Sequence, residues 1–194
     1  MATHAASETI RACLRVGGVI AYPTEGVWGL GCLAGAEAAV MRILELKSRT
    51  VDKGLILLGT TAAQFDSVVV GLAAAVPEPD GNPVTWLVPH RGLVPFWIHG
   101  GSDKVALRLT RHPVVAELCE SVGEPLVSTS ANPAGAPPAM SEEEVREYFP
   151  SGLDAIVPGA LGCASGPSRI VDLETGAVVP VSYTHLTLPT IYSV

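Results

Sequence analysis

The sequence predicts an α/β fold in a single domain, with helices packed on a twisted, open, mixed sheet. Three observations support this prediction. The chain has 194 residues, which is enough for one domain with a substantial core. Its 48% hydrophobic and 16% charged residues are typical of compact globular proteins. Segments with helical and with strand-like periodicity alternate along the chain, which favours helices layered on a sheet.

The first half of the chain alternates helices and strands. Helix 5–16 has apolar residues at helical spacing and ends at a glycine pair. Strand 19–22 is a short apolar run that stops at Pro23, because proline cannot donate to a central ladder. The glycine-rich stretch after it predicts a turn. Helix 36–46 repeats apolar residues on one face, and 55–58 (LILL) has the composition of a buried strand.

The second half is predicted from similar signals. A helix over 61–71 precedes a loop rich in proline and glycine, and the helix over 112–123 ends at a glycine. Ser141 with Glu144 resembles a capping box at the start of a further helix. The remaining predicted elements are strands 84–88, 105–109 and 125–128, the helix around 145–148, and strands 155–157 and 168–173.

The charge balance restricts the partners that the surface can hold. The formal net charge is −7, whereas a surface built for nucleic acid needs a basic excess to neutralise phosphates. Any anion site is therefore local. Half of the twelve Lys and Arg residues fall in two short segments: Lys47, Arg49 and Lys53 in one, and Lys104, Arg108 and Arg111 in the other.

Cysteine and histidine patterns give no sign of a disulfide framework or a zinc site. The four cysteines are far apart, which is typical of a reducing cytosol, and the five histidines lack metal-ligand spacing. The N-terminus carries charges where a signal peptide needs an apolar core, and no apolar run is long enough to span a bilayer. We therefore expect a soluble, cytoplasmic protein without a dedicated metal site.

Two polar segments could bind anions. Lys47 and Arg49 stand two residues apart in KSRTVDKG, so in extended backbone they point to one side, with Lys53 close by. Cations that converge in this way favour a bound phosphate, although a solvated basic loop at a helix C-terminus explains the same residues. The stretch STSAN follows a predicted strand and offers hydroxyl, amide and backbone N–H groups to a phosphate or carboxylate. An ordinary turn uses the same residue types.

The stretch YPTEGVWGLG presents Thr24 at the end of a strand among glycines. Alone it could be a turn between strands or a helix cap. A serine nucleophile in STSAN is not supported, because no Gly-x-Ser-x-Gly elbow and no evident histidine partner accompany it.

Six segments together are more specific than any one of them. In order they are YPTEGVWGLGC, KSRTVDKGLILL, NPVTWLVP, ALRLTRHPVV, PLVSTSANPAG and GPSRIVDL. With these segments the chain closely resembles the YrdC-type threonylcarbamoyl-AMP synthases in their short, single-domain bacterial form. The resemblance extends from the first helix to Leu173. It implies a YrdC-like sheet with flanking helices around a deep, locally positive cavity.

The resemblance also implies an activity. Members of this family condense L-threonine, bicarbonate and ATP into L-threonylcarbamoyladenylate and release pyrophosphate. A partner enzyme complex then transfers the threonylcarbamoyl group to the adenosine next to the anticodon of tRNAs that decode codons beginning with A. Magnesium is expected with the triphosphate. tRNA is thus an indirect partner, with weak RNA binding left open, and no membrane is involved.

The resemblance assigns roles to nine residues. Lys47 and Arg49 are the candidate catalytic pair and, with Lys53, the expected contacts of the ATP phosphates. The other assigned residues are Thr24, Arg108, Ser128 and Ser168 on the threonine side, and Ser130 and Asn132 on the nucleotide side. A planar two-pronged donor such as Arg108 suits the threonine carboxylate.

The C-terminal segment departs from the family pattern. The family usually has an arginine just before its final proline, near Val179-Pro180, and the stretch AVVPVSYTHLTLPTIYSV contains no basic residue. We therefore expect a family domain over 1–180 and interpret 181–194 as foreign sequence joined to a truncated gene.

Two other functions are weighed against this hypothesis. A non-enzymatic RNA-binding protein of the translation apparatus is disfavoured by the net charge of −7 and by an aromatic fraction of only 5%. Related domains of hydrogenase-maturation carbamoyltransferases make carbamoyladenylate, but those proteins are much longer and carry zinc-binding cysteine motifs.

Overall fold

The structure is a computed structural model that describes residues 2–69, 71, 75–164 and 166–179. The segment 181–194, interpreted above as foreign sequence, lies outside the described residues. The helices in the described part are α1 (Ala2–Arg15), α2 (Glu37–Leu46), α3 (Phe96–His99), α4 (Pro113–Val122) and α5 (Glu142–Tyr148). The strands are β1 (Ile20–Pro23), β2 (Trp28–Leu33), β3 (Ile56–Gly59), β4 (Val84–Pro89), β5 (Lys104–Leu109), β6 (Leu126–Ser130), β7 (Ala155–Ile156), β8 (Arg169–Asp172) and β9 (Val178–Val179).

The described strands form one open mixed sheet, which confirms the predicted fold class. Their order is β7-β1-β2-β6-β3-β5-β4-β8-β9. The pairs β1–β7, β3–β5 and β4–β8 are parallel, and the other neighbouring pairs are antiparallel. β2, β6, β3 and β5 are neighbours although their segments lie far apart in sequence, so this order brings the predicted site segments together.

Helices and loops cover both faces of the sheet, because successive strand residues point to opposite sides. Tyr22 and Leu58 belong to a buried cluster with residues of α1 and α4. Their neighbours Ala21 and Leu57 belong to a second cluster with residues of α2. The sheet is therefore buried on both sides, as the continuous apolar runs in its strands predict.

Strand β2 was not predicted, because its glycines give a turn signal in the sequence. It pairs antiparallel with both β1 and β6. The glycines are required by close packing: a Cβ at Gly31 would lie 2.4 Å from the carbonyl oxygen of Val127 and 2.7 Å from the Tyr22 hydroxyl. Glycine at this position lets β2 approach its neighbours.

The predicted helix over 61–71 is wrong. Among the described residues of this range, only Ala62–Phe65 are helical, as a single 3-10 turn. The Gln64 side chain accepts a hydrogen bond from the backbone N–H of Thr60 at 2.7 Å and so closes the turn on itself. The β-branched valines that follow also disfavour a longer helix. Helix α3 and strand β9 were not predicted.

The predicted capping box of α5 is half present. The Ser141 hydroxyl accepts a hydrogen bond from the Glu144 N–H at 3.2 Å, as expected for an N-cap. The Glu144 carboxylate does not reach back to the Ser141 N–H, and it accepts instead from the N–H of Met140 at 2.6 Å. The helix start is thus stabilised one residue earlier than the motif predicts.

We expect Gly31→Ala to destabilise the protein while Gly35→Ala does not. The methyl group at Gly31 would clash with the Val127 backbone, and overpacking of this kind costs about 1–3 kcal/mol. Gly35 is exposed and a Cβ there would have no neighbour within 4 Å. Denaturant unfolding of the two variants measures the difference. Equal stability of the two variants would contradict the close approach of β2 and β6.

Candidate active site

A cavity of about 620 Å³ lies over the strands β2, β6, β5 and β4. Its wall is built from segments at the ends of several elements, in particular the loops after β1, α2 and β6. All the residues that the sequence singled out line it: Thr24, Lys47, Arg49, Lys53, Arg108, Ser128, Ser130, Asn132 and Ser168. The structure therefore brings the threonine-side and the nucleotide-side candidates into one space.

The charged side chains that line the cavity are basic. No Asp or Glu is among the described lining residues. A concave wall with one sign of charge favours anionic ligands, although the chain as a whole is acidic. The lining cations are Lys47, Arg49, Lys53, Lys104 and Arg108.

The end of α2 places two of these cations. Ser48 has φ of +51°, and its N–H donates to the Glu45 carbonyl at 2.9 Å. The N–H of Arg49 donates to the Leu44 carbonyl at 2.8 Å, which completes a Schellman motif. This motif reverses the chain within two residues. Lys47 at the helix end and Arg49 after the reversal therefore both reach the cavity.

Lys47 is buried, with 3% of its surface exposed. Its Nζ donates to the Ser130 carbonyl, to the Asn132 carbonyl at 2.7 Å and to Asn132 Oδ1 at 3.3 Å. Burial lowers the pKa of Lys47 to about 7, and the charge of Arg49 acts in the same direction. An anion beside this amine would favour its charged form.

Arg49 connects the cavity to the 3-10 turn Val51–Lys53. Its Nη2 donates to the carbonyl oxygens of Lys53 at 3.1 Å and Gly54 at 2.8 Å. Its Nε is buried without a partner among the described residues. Burial lowers the pKa of Arg49, while Asp52 acts in the opposite direction. A buried donor without an acceptor is costly, and an anion in the cavity would supply the acceptor.

Ser130 and Asn132 form a rigid corner after β6. The Ser130 hydroxyl donates to Asn132 Oδ1 at 2.5 Å, and Asn132 Nδ2 donates to the Ala136 carbonyl at 2.7 Å. The Asn132 side chain thus holds the proline-rich loop in a fixed path. Because the Ser130 hydroxyl uses its proton in this contact, its oxygen remains available as an acceptor.

Arg108 makes an ion pair with a residue that the sequence analysis gave no role in the site. Its Nη2 donates to Glu25 Oε2, and the Thr110 hydroxyl donates to Glu25 Oε1 at 2.6 Å. Only 8% of the Arg108 surface is exposed, and its Nε has no partner among the described residues. Burial lowers the pKa of Arg108, and Glu25 opposes this shift. Glu25 therefore orients the Arg108 guanidinium by an ion pair at Nη2.

Thr24 lies at the end of the cavity formed by the β1–β2 turn. Its hydroxyl donates to the Val27 carbonyl at 2.7 Å, and its own carbonyl accepts from the Gly162 N–H at 2.9 Å. A Cβ at Gly26 would lie 2.2 Å from the Gly166 carbonyl, so the segment before β8 crosses this turn closely. The β1–β2 turn and the segment before β8 can cross this closely because position 26 is a glycine.

Three functional candidates were missed: Glu25, Lys104 and Thr85. Glu25 stood in a motif where it was considered only as a cap, and Lys104 was counted in the basic segment without a role. Lys104 Nζ bonds Asp172 at 2.6 Å and Glu174 at 2.8 Å, which raises its pKa. Thr85 lies in the segment NPVTWLVP and bonds the Ser168 hydroxyl at 2.6 Å. The sequence contains the segment NPVTWLVP, but it does not show that Thr85 pairs with Ser168.

The described residues contain neither a metal-binding cluster nor a membrane-spanning helix. No three His, Cys, Asp or Glu side chains there are grouped as a metal site requires. None of the helices in the same part of the chain has the length and apolar character needed to cross a bilayer.

Comparisons with known proteins show which family the chain resembles. The model of the Sua5/YciO/YrdC family, which bears the description "Telomere recombination", matches residues 12–181. A protein of Stutzerimonas stutzeri strain A1501 named threonylcarbamoyl-AMP synthase is 54% identical over 170 residues, which cover 86% of this chain and 91% of that protein.

Two solved structures share the fold. The crystal structure of P. abyssi Sua5 complexed with L-threonine matches with a TM-score of 0.77 and 30% identity, over 89% of this chain and 52% of that chain. The chain thus spans about half the length of that structure. E. coli YciO matches with a TM-score of 0.73 and 25% identity, over 89% of this chain and 87% of that chain.

We expect ATP binding at pH 8 to be coupled to proton uptake at Lys47. With a pKa of about 7 the free amine is mostly neutral at this pH, and a phosphate beside it raises the pKa. Uptake should approach about one proton per ATP at pH 8 and vanish near pH 6, where the amine is already charged. Titration calorimetry in buffers of different ionisation enthalpy measures this number. Lys47→Arg is the matched control, since arginine stays charged, and uptake equal to wild type in this variant would contradict the assignment.

Proposed function

Because the chain belongs to the Sua5/YciO/YrdC family, we propose that it synthesises L-threonylcarbamoyladenylate from L-threonine, bicarbonate and ATP, with release of pyrophosphate. One observation carries the proposal. A single cavity is lined by a buried arginine suited to a carboxylate, Arg108, and by a buried lysine with a partly buried arginine suited to phosphates, Lys47 and Arg49. The 54% identity to a protein named threonylcarbamoyl-AMP synthase supports the same reaction.

The reaction needs positioning and charge stabilisation rather than a side-chain nucleophile. The ammonium group of threonine first loses a proton, and the resulting amine and bicarbonate then give a carbamate and water. A carbamate oxygen then attacks the α-phosphorus of ATP, the bond to the β-phosphate oxygen breaks, and pyrophosphate leaves. Negative charge accumulates on the phosphates during this displacement, so fixed cations in a site with little water lower the barrier.

On the nucleotide side, Lys47 and Arg49 would contact the phosphates. Lys47 is buried and Arg49 is partly buried, and burial lowers the pKa of both. Arg49 Nε has no partner among the described residues, and a polyphosphate would stabilise the charged forms of both side chains. Lys53 follows on the turn that Arg49 holds. Ser130 and Asn132 form the corner that would receive the rest of the nucleotide. Magnesium would enter with the triphosphate as part of the substrate.

On the threonine side, Arg108 would bind the substrate carboxylate. Its guanidinium is already oriented by Glu25, and its Nε remains free for a second hydrogen bond. Thr24, Ser128 and Ser168 are polar residues with 4–8% of their surface exposed, and all three line the cavity. They would contact the polar groups of the amino acid. A threonine complex of the homologous Sua5 protein supports this choice of substrate.

The wider role follows from the product. Threonylcarbamoyladenylate is an activated acyl donor, and a tRNA-modifying transferase complex would use it on the adenosine next to the anticodon. In this role the protein would act in the cytoplasm, with tRNA as an indirect partner. We also propose that the functional domain comprises residues 1–180, with 181–194 outside it.

The enzymatic function is preferred over a non-enzymatic RNA-binding role. The cavity of about 620 Å³ has the size of a small-molecule site, and the net charge of the chain is −7. Pyrophosphate release that requires L-threonine, bicarbonate and ATP together tests the proposal. Release that instead requires a carbamoyl donor such as carbamoyl phosphate would favour carbamoyladenylate synthesis, and no release would favour a binding role.

We expect Lys47→Ala and Arg49→Ala each to abolish most pyrophosphate release. Loss of one charge-assisted phosphate contact should cost on the order of 2–4 kcal/mol of transition-state stabilisation. Arg11→Ala, at an exposed position on α1, is the matched control and should keep wild-type turnover. Thermal unfolding of all three variants checks that they are folded. Near-normal turnover of a folded Arg49→Ala variant would contradict the phosphate assignment.

Kinetic constants for the two substrates test how the cavity is divided. Arg108→Ala should raise KM for L-threonine by about 10-fold or more, because a charge-assisted hydrogen bond is lost, while KM for ATP changes little. Ser130→Ala should raise KM for ATP and leave KM for threonine nearly unchanged. The opposite pattern would show that the threonine and nucleotide sides are exchanged.

A further inference from the structure

Two hydroxyl groups meet beside the cavity. Thr85 Oγ1 and Ser168 Oγ are 2.6 Å apart, in hydrogen-bond contact. Thr85 lies in β4 and is completely buried, whereas Ser168 precedes β8, keeps 7% of its surface exposed and lines the cavity. The contact thus joins a residue that no ligand can reach to a residue that a ligand can reach.

Burial fixes which hydroxyl is the donor. Each group has a single proton, and in the described part of the chain Ser168 is the partner of the Thr85 side chain. If Ser168 donated, the Thr85 proton would be buried at 0% exposure without an acceptor, which is costly. Thr85 therefore donates to Ser168. The Ser168 proton then remains for an acceptor in the cavity.

The sheet register shows where that proton is available. Thr85 is paired with Ile170 in the parallel β4–β8 ladder, so Ser168, two residues before Ile170, projects from the same face. Continuing the antiparallel β4–β5 register by one residue places Thr85 opposite Arg108, again on that face. Ser168 and Arg108 therefore flank Thr85 on the strands at either side of it.

We propose that Thr85 is a positioning residue that commits Ser168 to donate a hydrogen bond to the carboxylate which Arg108 binds. This inference rests on the proposed function, because it takes the amino-acid substrate as the ligand. It adds a residue outside the cavity wall to the recognition of threonine. It also gives the direction of the hydrogen bond from Ser168: the Ser168 hydroxyl donates its proton to an acceptor oxygen of the ligand.

The test compares Thr85→Val, Thr85→Ser, Ser168→Ala and the double variant Thr85→Val/Ser168→Ala with wild type. Valine keeps the shape of threonine but removes the donor, so KM for L-threonine should rise about 10-fold, with kcat and KM for ATP nearly unchanged. Thr85→Ser retains the hydroxyl and should restore KM. The double variant should be no worse than Ser168→Ala, because Thr85 acts through Ser168.

Calorimetric titration with L-threonine and thermal unfolding of the same proteins separate positioning from folding. A folded Thr85→Val variant with wild-type KM, a Thr85→Ser variant as impaired as Thr85→Val, or additive effects in the double variant would each overturn the inference. If wild-type protein binds L-threonine but releases no pyrophosphate, the proposed function fails, and the dissociation constants of the variants then decide the inference. Wild-type protein that does not bind L-threonine would overturn both.

Discussion

The architecture of the site depends on the burial of one amine. Lys47 Nζ lies against the carbonyl oxygens of Ser130 and Asn132, and so joins the end of α2 to the end of β6. A buried lysine is tolerated only with such partners, and its charge remains costly, which explains its lowered pKa. The cavity exists where these two chain segments are held together. The Lys47 amine that holds this loop is thus also the amine whose charged form a bound anion would stabilise.

In the opposite part of the cavity, the lining side chains are also held in place by hydrogen bonds to neighbouring residues. Arg108 is held by Glu25, which in turn accepts from Thr110, and Ser168 is held by Thr85. In each case a residue outside the lining orients one that a substrate can reach. Site residues of this kind lose little conformational freedom when the ligand binds, which is how a reaction without a side-chain nucleophile can be accelerated. The glycines at 26, 29 and 31 complete the arrangement, because they let backbones approach where side chains would fill the space.

Much of this structure could be predicted from the sequence, for identifiable reasons. Helices α1, α2 and α4 have regular apolar periodicity, and the central strands are short apolar runs. Strand β2 was missed because Gly29 and Gly31 have no local strand preference, and they are needed only where β2 meets β1 and β6. The helix predicted over 61–71 failed because a local side-chain bond at Gln64 closes a tighter turn.

The site residues were found as motifs, whereas their partners were not. Nothing in the sequence pairs Glu25 with Arg108, or Thr85 with Ser168, since each pair is separated by 83 positions. The Thr85–Ser168 pair follows from the strand order, in which β4 and β8 are neighbours, whereas the Glu25–Arg108 pair joins the β1–β2 turn to β5. Single-sequence patterns contain residue types and spacing, and cross-strand neighbours appear only once the sheet is assembled.

The most direct test of the account is the identity of the product. Wild-type protein is incubated with ATP, radiolabelled bicarbonate and L-threonine, and the nucleotide fraction is analysed by chromatography and mass spectrometry. The account predicts a nucleotide that contains one threonine, one labelled carbonyl carbon and AMP, formed in equal amount with pyrophosphate. Turnover of ATP that yields a nucleotide without threonine, or no labelled nucleotide at all, would contradict it.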